Sequence, residues 1–107
     1  MPRSGDMIKF RSLLLLAVIT SLPLMSYAAG DAAAGKIMSA TCVACHGAEG
    51  VSPNDLWPNL AGQKQAYLIK QIKAFKDGSR NDPMMSPMAA MLSDEDIANV
   101  SAYFSGL

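Results

Sequence analysis

Two thiols and one imidazole stand together in this chain as Cys42-Val43-Ala44-Cys45-His46. C-x-x-C-H is the spacing at which two cysteines add to the vinyl groups of a haem. The thioether bonds fix the macrocycle, so losing the cofactor would require breaking covalent bonds. The adjacent imidazole is then held against the iron as proximal ligand. Other uses of these residues fit less well. A structural zinc site wants four ligands, and the chain offers no Cys or His beyond these three. A thioredoxin-like redox pair belongs in a βαβ context, which the helical patterning described below denies. A disulfide closing so short a loop would stabilise little. Covalent haem on Cys42 and Cys45, with His46 on the iron, is the expected chemistry.

A six-coordinate iron needs a second donor, and there is no second histidine. The candidates are a Met thioether, a Lys amine, the amino terminus or water. Met84, Met85, Met88 and Met91 crowd between Pro83 and the last predicted helix. Methionine is a common filler of cores, which accounts for most of such a group. One of them suffices as a ligand, and a soft thioether raises the reduction potential. Iron closed by His and Met has no open position for substrate, so its chemistry is electron transfer. A labile or absent sixth ligand would instead make a haem enzyme or gas sensor, although no second histidine is present for distal acid–base work.

The elements that must position these groups begin after an N-terminal leader. Residues 1–11 are net basic, 13–25 are mostly apolar, and Ser26-Tyr27-Ala28 puts small residues at the −3 and −1 positions of a cut. That three-part pattern is a secretory signal peptide spanning 1–28. A membrane span needs about 20 apolar residues, and Pro23 interrupts this shorter stretch. Export implies a periplasmic location in a Gram-negative source, with no stable membrane insertion after cleavage. The whole chain balances nine Lys and Arg against nine Asp and Glu. It lacks the basic excess of a nucleic-acid binder.

What remains, 29–107, is one small domain with 22 apolar side chains larger than Ala or Cys, five of them Met. A core of this size rarely supplies more than about 3–5 kcal/mol without a staple. A large apolar cofactor would provide the missing interior.

The periodicity is all-α, with three main helices. The first runs from an Asp31 N-cap to about Thr41, with Gly35 inside it marking a close packing contact. Residues 47–63 hold three Gly and two Pro and read as irregular. The second helix spans 64–77, with Leu68, Ile72 and Phe75 on one face and Gly78 as its stop. Residues 79–92, with Pro83 and Pro87, read as a second loop. The third helix starts at Ser93 with a capping-box-like pairing to Asp96 and carries Ile97, Val100 and Phe104 as its apolar stripe. Lys64, Lys70, Lys73 and Lys76 read as a solvated face of the second helix rather than a docking patch.

With these residues in view, the chain resembles a class I c-type cytochrome, and is similar to one half of the two-haem periplasmic bacterial cytochromes. The likeness runs through Ala29-Gly30-Asp31 to Gly35, Cys42 to His46, Pro58 to Gln63, Tyr67-Leu68 with Gln71, and Leu92-Ser93-Asp94 to Tyr103-Phe104. It implies a small class I cytochrome c fold over 29–107, with loops wrapped around a single covalent haem c. It implies Met85 as the distal iron ligand, from its distance to the Leu-Ser-Asp start of the last helix, with Met88 second and Met84 third. It implies that the Pro58 carbonyl accepts the His46 Nδ1–H bond, that Trp57 and Leu60 are haem-pocket walls, and that Gly35 meets Tyr103 where the first and last helices cross.

The activity so implied is that of an electron carrier rather than an enzyme, with the iron cycling between Fe(III) and Fe(II). Its partners would be redox proteins: a quinol-oxidising complex, a terminal oxidase or a periplasmic dehydrogenase. Contacts would be small, below about 1,200 Å², because a shuttle must dissociate quickly. The electron would leave by the haem edge near Cys42 and Cys45. A haem-bearing subunit of a larger oxidoreductase is the other role open to such a domain.

Overall fold

The structure is a computed structural model that describes residues 17–21 and 30–107. The leader and its cut after Ala28 fall outside those residues, apart from 17–21. Among the described residues the fold is helical with no strand. The order is α1 (Ala32–Met38), a 3-10 turn (Ser39–Thr41), α2 (Val43–His46), α3 (Gln65–Asp77), α4 (Met85–Ala90) and α5 (Asp94–Ser105). No helix among them is long and apolar enough to cross a membrane.

The Asp31 carboxylate accepts the backbone N–H groups of Ala33 and Ala34 and starts α1. Its own N–H donates to Asn99 Oδ1 at 2.7 Å, which ties that start to α5. Gly35 is buried at the crossing of α1 and α5. A Cβ there would stand 1.9 Å from the Asn99 carbonyl oxygen and 3.0 Å from Tyr103 Cβ. Only a residue without a side chain lets the two backbones approach so closely. The crossing that the resemblance implied is present, and it sits just upstream of the two thiols.

Helix α5 begins with the full capping box. The Ser93 hydroxyl accepts from Asp96 N–H, and the Asp96 carboxylate accepts from Ser93 N–H. Acidic Asp94, Glu95 and Asp96 fill its first turn, where the helix dipole favours negative charge. Ile97, Val100 and Phe104 are all at most 2% exposed. Leu68 of α3 joins Val100 and Phe104 in the core, with Met38, Cys42, Leu60, Ile72 and Tyr103 packed against them. The buried apolar side chains among the described residues are only Leu68, Ala89, Ile97, Val100 and Phe104. So sparse an interior is what a chain folded around a large cofactor should show.

Helix α3 ends where predicted, at a left-handed Gly78 with φ 83°. Beyond it the chain turns back. Arg80 donates to Gln71 Oε1 at 2.8 Å and lays its guanidinium 4.4 Å from the centre of the Phe75 ring. Lys64, Lys70, Lys73 and Lys76 are exposed. Lys76 also donates to the Leu92 carbonyl, which pins the end of α3 to the approach to α5.

One expectation is corrected. Residues 79–92 are not a loop throughout, because α4 occupies Met85–Ala90. Pro87 lies in its first turn, where a missing N–H costs no helical hydrogen bond. The Asp82 carboxylate accepts the N–H groups of Met84 and Met85, each at 2.8 Å, and the Asp82 backbone N–H donates to the Ser86 hydroxyl oxygen at 3.0 Å. These bonds satisfy the donors that a helix start leaves over.

Candidate haem site

Cys42 closes the 3-10 turn and opens α2, and the His46 N–H bonds back to its carbonyl at 2.9 Å. The spacing therefore becomes geometry. Positions i, i+3 and i+4 of one helical turn share a face, so Cys42, Cys45 and His46 are presented together. Both thiols are unpaired and half-buried. Burial pushes the Cys42 thiol up, offset in part by its contact with the Thr41 hydroxyl.

His46 is buried, and its Nδ1 lies 2.8 Å from the Pro58 carbonyl oxygen. A carbonyl only accepts, so Nδ1 carries the proton. Nε2 is then the nitrogen with a lone pair to offer a metal, and the bond fixes the ring and raises its basicity.

The loop of residues 47–63 delivers that carbonyl. Gly50, at φ 74°, accepts Leu60 N–H at 2.7 Å and Ala61 N–H at 3.0 Å through its own carbonyl. A Cβ on Gly50 would stand 2.8 Å from Ala61 N, so this turn depends on glycine. Ser52 donates its N–H to Asn59 Oδ1 at 2.7 Å and its hydroxyl to the Cys45 carbonyl at 3.3 Å. Gly62 N–H bonds to the Phe104 carbonyl at 3.0 Å and anchors the far end on α5. Trp57 and Leu60 are half-buried, and Leu60 packs on the core, whereas the Pro58 side chain is exposed.

Burial separates Met84 and Met91 from the other two methionines. Met84 is 54% exposed and Met91 71%, while Met85 and Met88 are half-buried. Met85 shares a helical face with Ala89, which is wholly buried, and with half-buried Leu92. Met84, Met88 and Met91 carry the same i, i+4, i+7 spacing along a neighbouring face, on which Met84 and Met91 are exposed and Met88 is half-buried.

A family model described as cytochrome c matches residues 32–107. The chain belongs to the cytochrome c family. It is 54% identical over 80 residues to cytochrome c-554(548) of Halomonas halodenitrificans, covering 72% of this chain and 96% of that one. It is 49% identical over 94 residues to cytochrome c4 of Pseudomonas aeruginosa, covering 88% of this chain and 45% of the relative. The crystal structure of reduced recombinant cytochrome c4 from Pseudomonas stutzeri superposes with a TM-score of 0.68 at 44% identity, over 72% of this chain and 45% of that chain. The chain thus matches one half of cytochrome c4, a two-haem class I cytochrome, and spans under half its length.

The cofactor of the family is covalent haem c with its iron, and the residues fit it. Two unpaired thiols share a face with an imidazole whose other nitrogen is already committed, beside an interior too sparse for the chain alone. Sequence alone does not single out the residues that hold the surrounding backbone in place: Asp82, Ser52 and Asn59. Asp82-Pro83 was the available signal for one of them, since an acceptor side chain followed by proline commonly starts a helix.

Proposed function

We propose that this chain is a single-haem electron carrier of the periplasm, made as a signal peptide of 1–28 and a cytochrome domain of 29–107. One C-x-x-C-H motif provides for one haem. Cys42 and Cys45 would hold it, His46 Nε2 and Met85 Sδ would serve as the iron ligands, and Trp57, Pro58 and Leu60 would line the pocket. The observation that carries this reading is the His46–Pro58 bond, because it orients the imidazole and leaves the metal-binding nitrogen open. The placement of Met85 on the inward face of α4 supports it as the second ligand.

When bound, haem supplies reversible one-electron exchange between Fe(III) and Fe(II). The chain's own residues keep the geometry the same in both states. The Pro58 carbonyl prevents the His46 ring from rotating, and the Asp82 cap holds the backbone of Met85. The Met85 thioether favours the reduced state. The Cys42 and Cys45 side would be the exit for the electron, with a quinol-oxidising complex, a terminal oxidase or a periplasmic dehydrogenase as the partner.

The test is a redox titration of the holoprotein with carbon monoxide and cyanide challenges. A reversible one-electron wave with slow or absent ligand uptake is expected. Rapid uptake of either ligand by the resting protein would mark an open iron, and so an enzyme or sensor.

A further inference from the structure

Both ends of the segment that carries Met85 are fastened to α3. After the left-handed Gly78, the chain folds back along the helix it has just left, with the Ser79 N–H donating to the Asp77 carboxylate at 2.8 Å. Arg80 then meets α3 at three points. Its backbone N–H donates to the Ala74 carbonyl at 3.0 Å. Its guanidinium donates to Gln71 Oε1 at 2.8 Å and lies 4.4 Å from the centre of the Phe75 ring. Gln71, Ala74 and Phe75 stand at i, i+3 and i+4, so the three points share one face of the helix. Two residues further on, Asp82 caps α4 through Met84 and Met85. At the far end, the Lys76 ammonium donates to the Leu92 carbonyl.

We propose that Arg80 is a positioning residue for the iron ligand: its clasp on Gln71 and Phe75 fixes the near end of the Met85 segment and so sets how often the thioether leaves the iron. The inference rests on the reading of Met85 as that ligand. Met85 is held by the Asp82 cap, and Asp82 follows directly on the clasp, so α4 can swing out as a unit only after Arg80 lets go of α3. The side chain is exposed, and holding it flat on α3 costs rotamer entropy. A planar guanidinium stacks on a ring and hydrogen-bonds in its own plane at once, which an ammonium does not. The Lys76 end, one hydrogen bond from a flexible side chain, is the weaker of the two fastenings.

The experiment is cyanide uptake by the oxidised holoprotein, followed by the Soret shift and the far-red band, in wild type, Arg80→Ala, Arg80→Lys, Lys73→Ala and Met85→Ala. Uptake should be about tenfold faster in Arg80→Ala, the size of one exposed cation–π contact with one charge-assisted hydrogen bond. Arg80→Lys keeps the charge and loses the fork, so its rate should fall between the two. Lys73→Ala removes a positive charge from the exposed side of the same helix and should match wild type. Equal rates in wild type and Arg80→Ala, or equal acceleration in Lys73→Ala, would overturn the clasp and leave Met85 on the iron. Rapid uptake by wild type, or a far-red band that survives Met85→Ala, would overturn the ligand reading and the clasp with it.

Discussion

The Asp82 carboxylate accepts the backbone N–H of Met85 at 2.8 Å, and this bond sets where α4 begins. The same oxygen takes Met84 N–H, and the two bonds hold the Asp82 carboxyl below the usual carboxylate range. A group with a depressed folded pKa contributes stability that is present above its unfolded pKa and lost as pH falls through the folded one. The support for Met85 should therefore fail only in acid, below the ordinary carboxylate range. The far-red band of the oxidised protein should fade there. Asp82→Asn, which keeps an acceptor oxygen and drops the charge, should remove that acid-dependent component. An unchanged acid midpoint in Asp82→Asn would show that the cap does not govern the ligand.

Gly35→Ala places a methyl group 1.9 Å from the Asn99 carbonyl oxygen. The clash is with backbone, so no side chain can rotate away and α1 must move off α5. Overpacking of this kind costs about 3 kcal/mol. Chemical denaturation of the holoprotein should show a loss of that order, and a change within measurement error would contradict the packing described.

Ser101 is wholly buried in α5, and its hydroxyl oxygen has no hydrogen-bond partner. An unsatisfied buried hydroxyl is a cost, so Ser101→Ala should raise stability by about 1 kcal/mol. A marked destabilisation would mean that the hydroxyl is bonded in the holoprotein, through a water or the cofactor.

Cys42→Ala/Cys45→Ala removes the covalent anchor and, with it, the filling of an interior that has five buried apolar side chains among the described residues. Circular dichroism should show loss of most cooperative helical structure. A sharp unfolding transition in haem-free protein would refute the argument from core size.

Much of this was legible from residue types. The face of α3 and the stripe of α5 follow from apolar spacing, and the Ser93–Asp96 box from its four letters. Gly35 announced a tight contact because glycine inside a helix is otherwise a cost. Helix α4 was hidden by two prolines that normally signal a loop. They are tolerated because one precedes the helix and the other lies in its first turn. The bond from His46 to Pro58 spans 12 residues of irregular chain, and no local pattern encodes it. It depends on the Gly50 turn, Ser52 and Asn59 closing the loop together. The separation of Met85 from its neighbours likewise became visible only with the burial of Ala89 on the same face.

The central claim is that a covalent haem is held between His46 and Met85, and the far-red absorption of the oxidised protein tests it most directly. Wild type and Met88→Ala should show the weak methionine–iron band, and Met85→Ala should lack it while keeping the haem bound. A band that survives Met85→Ala, or a folded protein with no haem absorption at all, would contradict the account.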